Sequence, residues 1–179
     1  WVVRVDARMA DDRPLYYFDD TDHGRVPPED TRDLPEVQHG SVMRFDQLTG
    51  EWVTIAAHRM NRTFLPAADV CPLCPTGRGS EPSEIPASEY DVVVFENRFP
   101  SLSGAHLSGA QPDSPFVLPA ETTDLPVAAV GHGRCEVICF SSDHQASFAS
   151  LDHAHARLVV DAWRSRTAAL SASPGVAEV

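Results

Sequence analysis

Val92-Val93-Val94-Phe95 is the stretch that most limits the fold. The run is too short for a helix of ordinary length and too rich in β-branched residues to favour one. Successive side chains of a strand point to opposite faces, so apolar residues at every position need cover on both sides. The chain must place this strand inside a sheet, with a packed layer above it and another below.

The rest of the sequence has to supply those layers. "GRCEVICFSSDH" (133–144) reads as the next strand, with Cys135, Val137 and Cys139 on one face and Glu136, Ile138 and Phe140 on the other. Trp52–Ala57 reads as a strand entered from a tight turn at Thr49-Gly50, and "RPLYYFDD" (13–20) as one more. After His144 the period changes. Leu151, Ala154, Leu158, Ala162 and Leu170 recur at helical spacing, widened by Val159 and Trp163, with Ser150 as N-cap and Pro174-Gly175 as stop. "VAEV" (176–179) resembles the opening of a further strand. Residues 24–37, 64–89 and 101–130 read as irregular or loop segments, the first two rich in proline. The expected class is α+β: antiparallel strands with one long amphipathic helix near the C-terminus. Residues 1–42 form a partly irregular lead-in, and 43–179 the main domain.

Composition narrows the partners. With 14 basic and 26 acidic residues among 179, the net charge is −12. Such a chain repels phosphate backbones and anionic lipid, so neither a nucleic acid nor a membrane is the expected partner. An anionic substrate would need a local cluster of arginine. No run of about 18 apolar residues occurs, and the start at Trp1 carries no signal-peptide pattern. Four cysteines are too few for a disulfide scaffold. A reducing, cytoplasmic setting is expected, where C-x-x-C points to metal or redox chemistry.

That pair is Cys71 and Cys74, in "DVCPLCPTGRGSEP" (69–82). Two thiolates three residues apart in a tight turn supply one edge of a zinc tetrahedron, and Pro72 and Pro75 stiffen the turn. A redox pair usually opens a helix, which Pro75 and the glycine-rich stretch after it do not suggest. Inert thiols are the third reading. Cys135 and Cys139 lie four residues apart on one strand, about 13 Å, too far to share one zinc. They read as buried strand cysteines. His144 follows the turn "SSD", from which it can reach another loop. By itself a lone histidine is as well read as a hydrogen-bonded surface residue.

Four segments, taken together and in order, resemble one family. "RFDQLTGEWVTIAAHRMNR" (44–62), "CPLC" (71–74), "FENRFPSL" (95–102) and "GRCEVICFSSDH" (133–144) are similar to galactose-1-phosphate uridylyltransferases, of the histidine-triad superfamily. The resemblance implies a histidine-triad-like antiparallel sheet, incomplete at the C-terminus, and a zinc site with Cys71, Cys74 and His144 as ligands. It implies a fourth ligand from the first histidine of a His-Pro-His triplet, and a nucleophile in the second. That triplet is expected beyond Val179, so no catalytic residue is expected within this chain, which reads as the amino-terminal part of such an enzyme and inactive alone. Arg59 and Arg62 correspond to arginines that hold the nucleotide-sugar phosphates, and Asn97 to a uridine contact. Arg98 stands where relatives often carry Asp, and Gln47 where they usually carry Pro.

The implied reaction transfers UMP from UDP-glucose to galactose-1-phosphate. The implied partners are those substrates, the C-terminal half in cis or as a separate chain, and a second copy in a homodimer. Two other readings stand beside this: a non-enzymatic zinc-stabilised binding or assembly module, and an adenylyltransferase relative. "DHAHARLVV" (152–160) imitates a histidine triad, but Arg157 takes the third histidine position. His153 and His155 would lie about 200° apart around a helix. The acidic run "DDTD" (19–22) reads as a solvated loop rather than a cation site.

Overall fold

The Val92–Phe95 run does become a strand covered on both faces. In the computed structural model, which describes residues 2–35, 42–55, 68–77, 82–104, 128–174, 176 and 178–179, it lies in β5 (Val92–Glu96), whose five residues are all buried. β5 belongs to a four-stranded antiparallel sheet with β1 (Val3–Arg8), β2 (Pro14–Asp19) and β9 (Glu136–Cys139), in the order β1-β2-β5-β9. The register pairs Val93 with Tyr17 on one side and with Cys139 on the other.

The alternation of the strands then sorts the core into two layers. One face carries Leu15, Tyr17, Val93 and Phe95, and packs with Met9, Ile85, Ala87 and Tyr90; Val5, Ala7, Val137 and Cys139 lie against it. The other carries Phe18, Val92 and Val94 beneath Leu158, Val159 and Ala162 of the helix α1 (His153–Ser171), with Tyr16, Ile138, Phe140 and Leu151 at the margin. Each fully buried Val, Leu or Phe is worth about 1.5–3 kcal/mol, so these two layers are the main stabilising term of this unit.

Two strands, rather than one, occupy the first twenty residues. β1 alternates Val3, Val5 and Ala7 with Arg4, Asp6 and Arg8, a pattern short enough to pass for a charged tail. Its pairing with β2 settles it as sheet. Residues 20–35 hold no regular element, as the proline content suggests, but ion pairs tie them down. Arg25 forms a fork on Asp19, which is 1% exposed. Asp19 is thus a buried ion-pair partner and not part of a solvated acidic loop. Arg32 bridges Asp30 and Glu84.

α1 buries Leu158, Val159, Ala162 and Arg166. The expected stripe holds at its centre and fails at its edges: Ala154 is exposed, and so is Trp163, which stacks on Phe148 at 5.9 Å. Arg166 enters the buried face because its guanidinium meets Glu136 of β9 through two bonds of 2.9 and 2.8 Å. It also lies over the Tyr16 ring, 4.1 Å from the centroid. Asp152, not Ser150, caps the helix: its Oδ1 accepts the His155 backbone N–H at 2.8 Å. Ser150 instead closes the capping box of a preceding 3-10 turn at Phe148–Ser150. No strand forms among the described residues of 176–179.

The chain divides into two compact units. The first, from Trp1–Glu36, Phe64–Glu96 and Glu136–Ala168, holds the four-stranded sheet and most of α1. The second, from Val37–Thr63, Asn97–Cys135 and Ala169–Val179, holds a three-stranded antiparallel sheet, ordered β4-β3-β7. Its strands are β3 (Val42–Asp46), β4 (Glu51–Ile55) and β7 (Ala128–Val130). A four-residue turn joins β3 to β4, with Gly50 at φ +72° and its N–H donating to Asp46 O at 2.8 Å. Only a residue without Cβ takes that φ cheaply, so the Thr49-Gly50 turn forms as expected. β6 (Ser103–Gly104) and β8 (His132–Gly133) pair in parallel in the same unit. Residues 128–130, expected in a loop, form a strand by pairing with β3, which three small residues do not announce. Among the described residues no helix is long and apolar enough to cross a membrane.

Candidate metal centre

The proline-rich segment before β5 folds back on itself as a scaffold. A 3-10 turn at Ala68–Val70 leads into Cys71. The Cys74 N–H then donates to Cys71 O at 3.4 Å, closing the turn that puts both thiols on one side. Pro75 and Ile85 form a parallel bridge. Around it the Glu84 N–H donates to Pro72 O at 2.8 Å, and the Thr76 N–H and Oγ1 donate to Ile85 O at 3.0 and 2.8 Å. Ile85 itself is fully buried against the sheet, so the turn is anchored to the core.

The third candidate ligand arrives from the end of β9. "SSD" builds consecutive side-chain turns: Asp143 N–H to Ser141 Oγ at 3.1 Å, then Gln145 N–H to Asp143 Oδ1 at 3.0 Å. These turns carry His144 back toward the cysteines, and its Nδ1 lies 3.1 Å from Cys74 Sγ. One donor atom each from Cys71, Cys74 and His144 falls within 4.8 Å of the others. Cys74 is buried, Cys71 half-buried and His144 exposed, so the group sits at the edge of the core. Two soft thiols and an imidazole suit a tetrahedral ion. Bonds of about 2.3 Å to sulfur and about 2.0 Å to nitrogen require S···N of about 3.5 Å, so Cys74 and His144, 3.1 Å apart, need open only about 0.4 Å. The residues fit a metal.

Tyr90 and Cys139 stand beside this group. The Tyr90 hydroxyl donates to Ser141 O at 3.0 Å, lies 3.5 Å from Leu73 O, and meets the Cys139 thiol. Burial raises the pKa of both side chains; the nearby Cys71 and Cys74 add to that, and Cys139 is pushed up to about 12. Cys139 is therefore a neutral thiol at neutral pH; it is half-buried in β9 rather than fully buried, and lies outside the three-residue group.

The other expected site residues divide by unit. Arg59 and Arg62 lie outside the described residues. Asn97 and Arg98 belong to the second unit. There the Asn97 side chain accepts the Phe99 N–H at 3.0 Å, its own N–H donates to Cys135 O at 2.8 Å, and Arg98 lies over the Phe99 ring. His153 is exposed, while His155 Nε2 meets Phe140 O at 2.7 Å, so the two share no site. A second group, Asp20, His23 and Asp91, also brings ligand atoms within 4.8 Å, with Asp20 and His23 exposed. Sequence reasoning misses it because Asp91 stands 71 positions from Asp20.

The family profile described as "Galactose-1-phosphate uridyl transferase, N-terminal domain" matches residues 32–179. The chain is similar to the galactose-1-phosphate uridylyltransferase of Streptomyces lividans, 44% identical over 98% of this chain and 42% of that protein. It is also similar to those of Thermotoga maritima, 33% identical over 72% of the chain and 36% of the relative, and Rattus norvegicus, 32% identical over 76% and 36%. No solved structure matches. The chain belongs to the galactose-1-phosphate uridylyltransferase family, in the region of its N-terminal domain. It spans about two fifths of the length of these curated relatives.

Proposed function

We propose that the chain is the amino-terminal part of a UDP-glucose:galactose-1-phosphate uridylyltransferase, and that Cys71, Cys74 and His144 hold a structural zinc ion. The observation that carries the zinc reading is the convergence of two thiols and an imidazole, 70 positions apart in sequence, on one edge of the core. A zinc ion held by Cys71, Cys74 and His144 would tie the "CPLC" turn to the loop after β9, and a histidine of the C-terminal half would complete its ligands.

This chain's own residues bind and position. Arg59 and Arg62 hold the phosphates of the nucleotide sugar, because guanidinium forks match phosphate oxygens and an acidic protein needs a local cation there. Asn97 contacts the nucleoside, with Arg98 beside it. The nucleophilic histidine comes from the C-terminal half, in cis or on a second polypeptide. It attacks the α-phosphorus of UDP-glucose, forming a P–N bond as the bond to glucose-1-phosphate breaks. Galactose-1-phosphate then attacks the same phosphorus and frees the imidazole. Two in-line displacements replace one harder exchange. The enzyme acts in the cytoplasm, as a homodimer.

The test is a UMP-transfer assay from UDP-glucose to galactose-1-phosphate, with this chain alone and after mixing with a C-terminal half. Activity in the mixture and none in either part supports the proposal. Turnover by this chain alone overturns the assignment of the nucleophile, and an inactive mixture of folded halves overturns the activity.

A further inference from the structure

The two ligand-bearing loops meet at one side chain that binds no metal. Tyr90 is 5% exposed and rooted in the loop-side layer of the core. Its hydroxyl donates to Ser141 O at 3.0 Å, three residues before His144. The same oxygen lies 3.5 Å from Leu73 O, the carbonyl just before Cys74. One O–H therefore faces the "CPLC" turn and the "SSD" turn together, and the Cys74 to His144 separation is set between those two turns. Local bonds shape each turn, and the cysteine turn is further tied to residues 84 and 85.

We infer that Tyr90 is a positioning residue of the metal centre, fixing the His144 loop against the cysteine turn so that thiolate and imidazole are spaced for one tetrahedral ion. The inference rests on the zinc reading above. Groups that orient a ligand without touching the metal typically change affinity by 10–100-fold. Here the ordering of two loops adds an entropic cost whenever the brace is lost.

The experiment is a cobalt(II) titration of the full chain, wild type and Tyr90→Phe, followed by zinc competition against a chelator. Wild type should give a thiolate-to-cobalt charge-transfer band and tetrahedral d–d bands. Tyr90→Phe should bind 10–100-fold more weakly, with shifted d–d bands, while its metal-free thermal unfolding stays close to that of wild type. Equal affinity and identical bands in the variant overturn the inference and leave the zinc reading intact. No thiolate band in wild type overturns both. Should Tyr90→Phe fail to fold, the wild-type chain carrying 3-fluorotyrosine at its three tyrosines serves instead. Tyr16 and Tyr17 lie in β2, so one fluorine resonance should move on zinc addition, and three unmoved resonances overturn the inference.

Discussion

The two faces of the four-stranded sheet solve the same problem differently. Phe18, Val92 and Val94 are covered by a regular helix, whose apolar stripe repeats every turn. Tyr17, Val93 and Phe95 are covered by an irregular proline-rich segment through Ile85, Ala87 and Tyr90. The helix satisfies its backbone internally and contributes packing. The irregular segment must find partners for its backbone groups one at a time, and in doing so it projects Cys71 and Cys74 toward His144. Periodic cover contributes packing; the aperiodic cover also turns sharply enough to bring Cys71 and Cys74 beside His144.

The largest expected break is on the helix face. Arg166→Met takes the guanidinium from the buried Glu136 carboxylate and should cost about 3–5 kcal/mol in urea unfolding; adding Glu136→Leu should recover most of that loss. Failure of the double variant to recover would mean that the pair contributes more than it costs to bury.

Zinc should separate the faces next. At a free concentration 100-fold above Kd it should raise stability by about 2.7 kcal/mol. Cys74→Ala should abolish that increment. Leu158→Ala, on the opposite face, should lose about 2–5 kcal/mol and keep the increment. Thermal unfolding with zinc and with chelator measures both, and a zinc increment that survives in Cys74→Ala would break the contrast.

Asp152→Ala removes the helix cap and should cost about 1 kcal/mol by the same unfolding measurement. Ser150→Ala should cost less, since the Ser150 hydroxyl accepts from the Ser147 N–H at the start of the short 3-10 turn rather than of α1.

The smallest effect at neutral pH belongs to Tyr17→Phe, expected within about 1 kcal/mol, since the buried hydroxyl forms no well-aligned hydrogen bond among the described residues. Its signature is alkaline. Burial pushes the Tyr17 phenol from 10.0 up to about 12. The folded state therefore favours the neutral form, and the associated stability is whole below pH 10 and is lost as pH climbs from 10 to about 12. Stability curves across that interval should be flatter for Tyr17→Phe; parallel curves would count against it.

Where the chain is periodic, its structure could be read in advance. The run at 92–95 demanded a covered strand, and the spacing of Leu158, Val159 and Ala162 demanded a helix to cover it. The spacing of Cys71 and Cys74 marked a candidate ligand pair, and "SSD" marked a turn before His144. All of these are local patterns, with causes inside a few residues. Tertiary structure alone decided the rest. It paired β2 with β5 and β5 with β9, buried Arg166 against Glu136 and set Tyr90 between two loops. Each of these depends on a partner far along the chain, and sequence spacing says nothing about which distant groups share a neighbourhood once the apolar faces are buried.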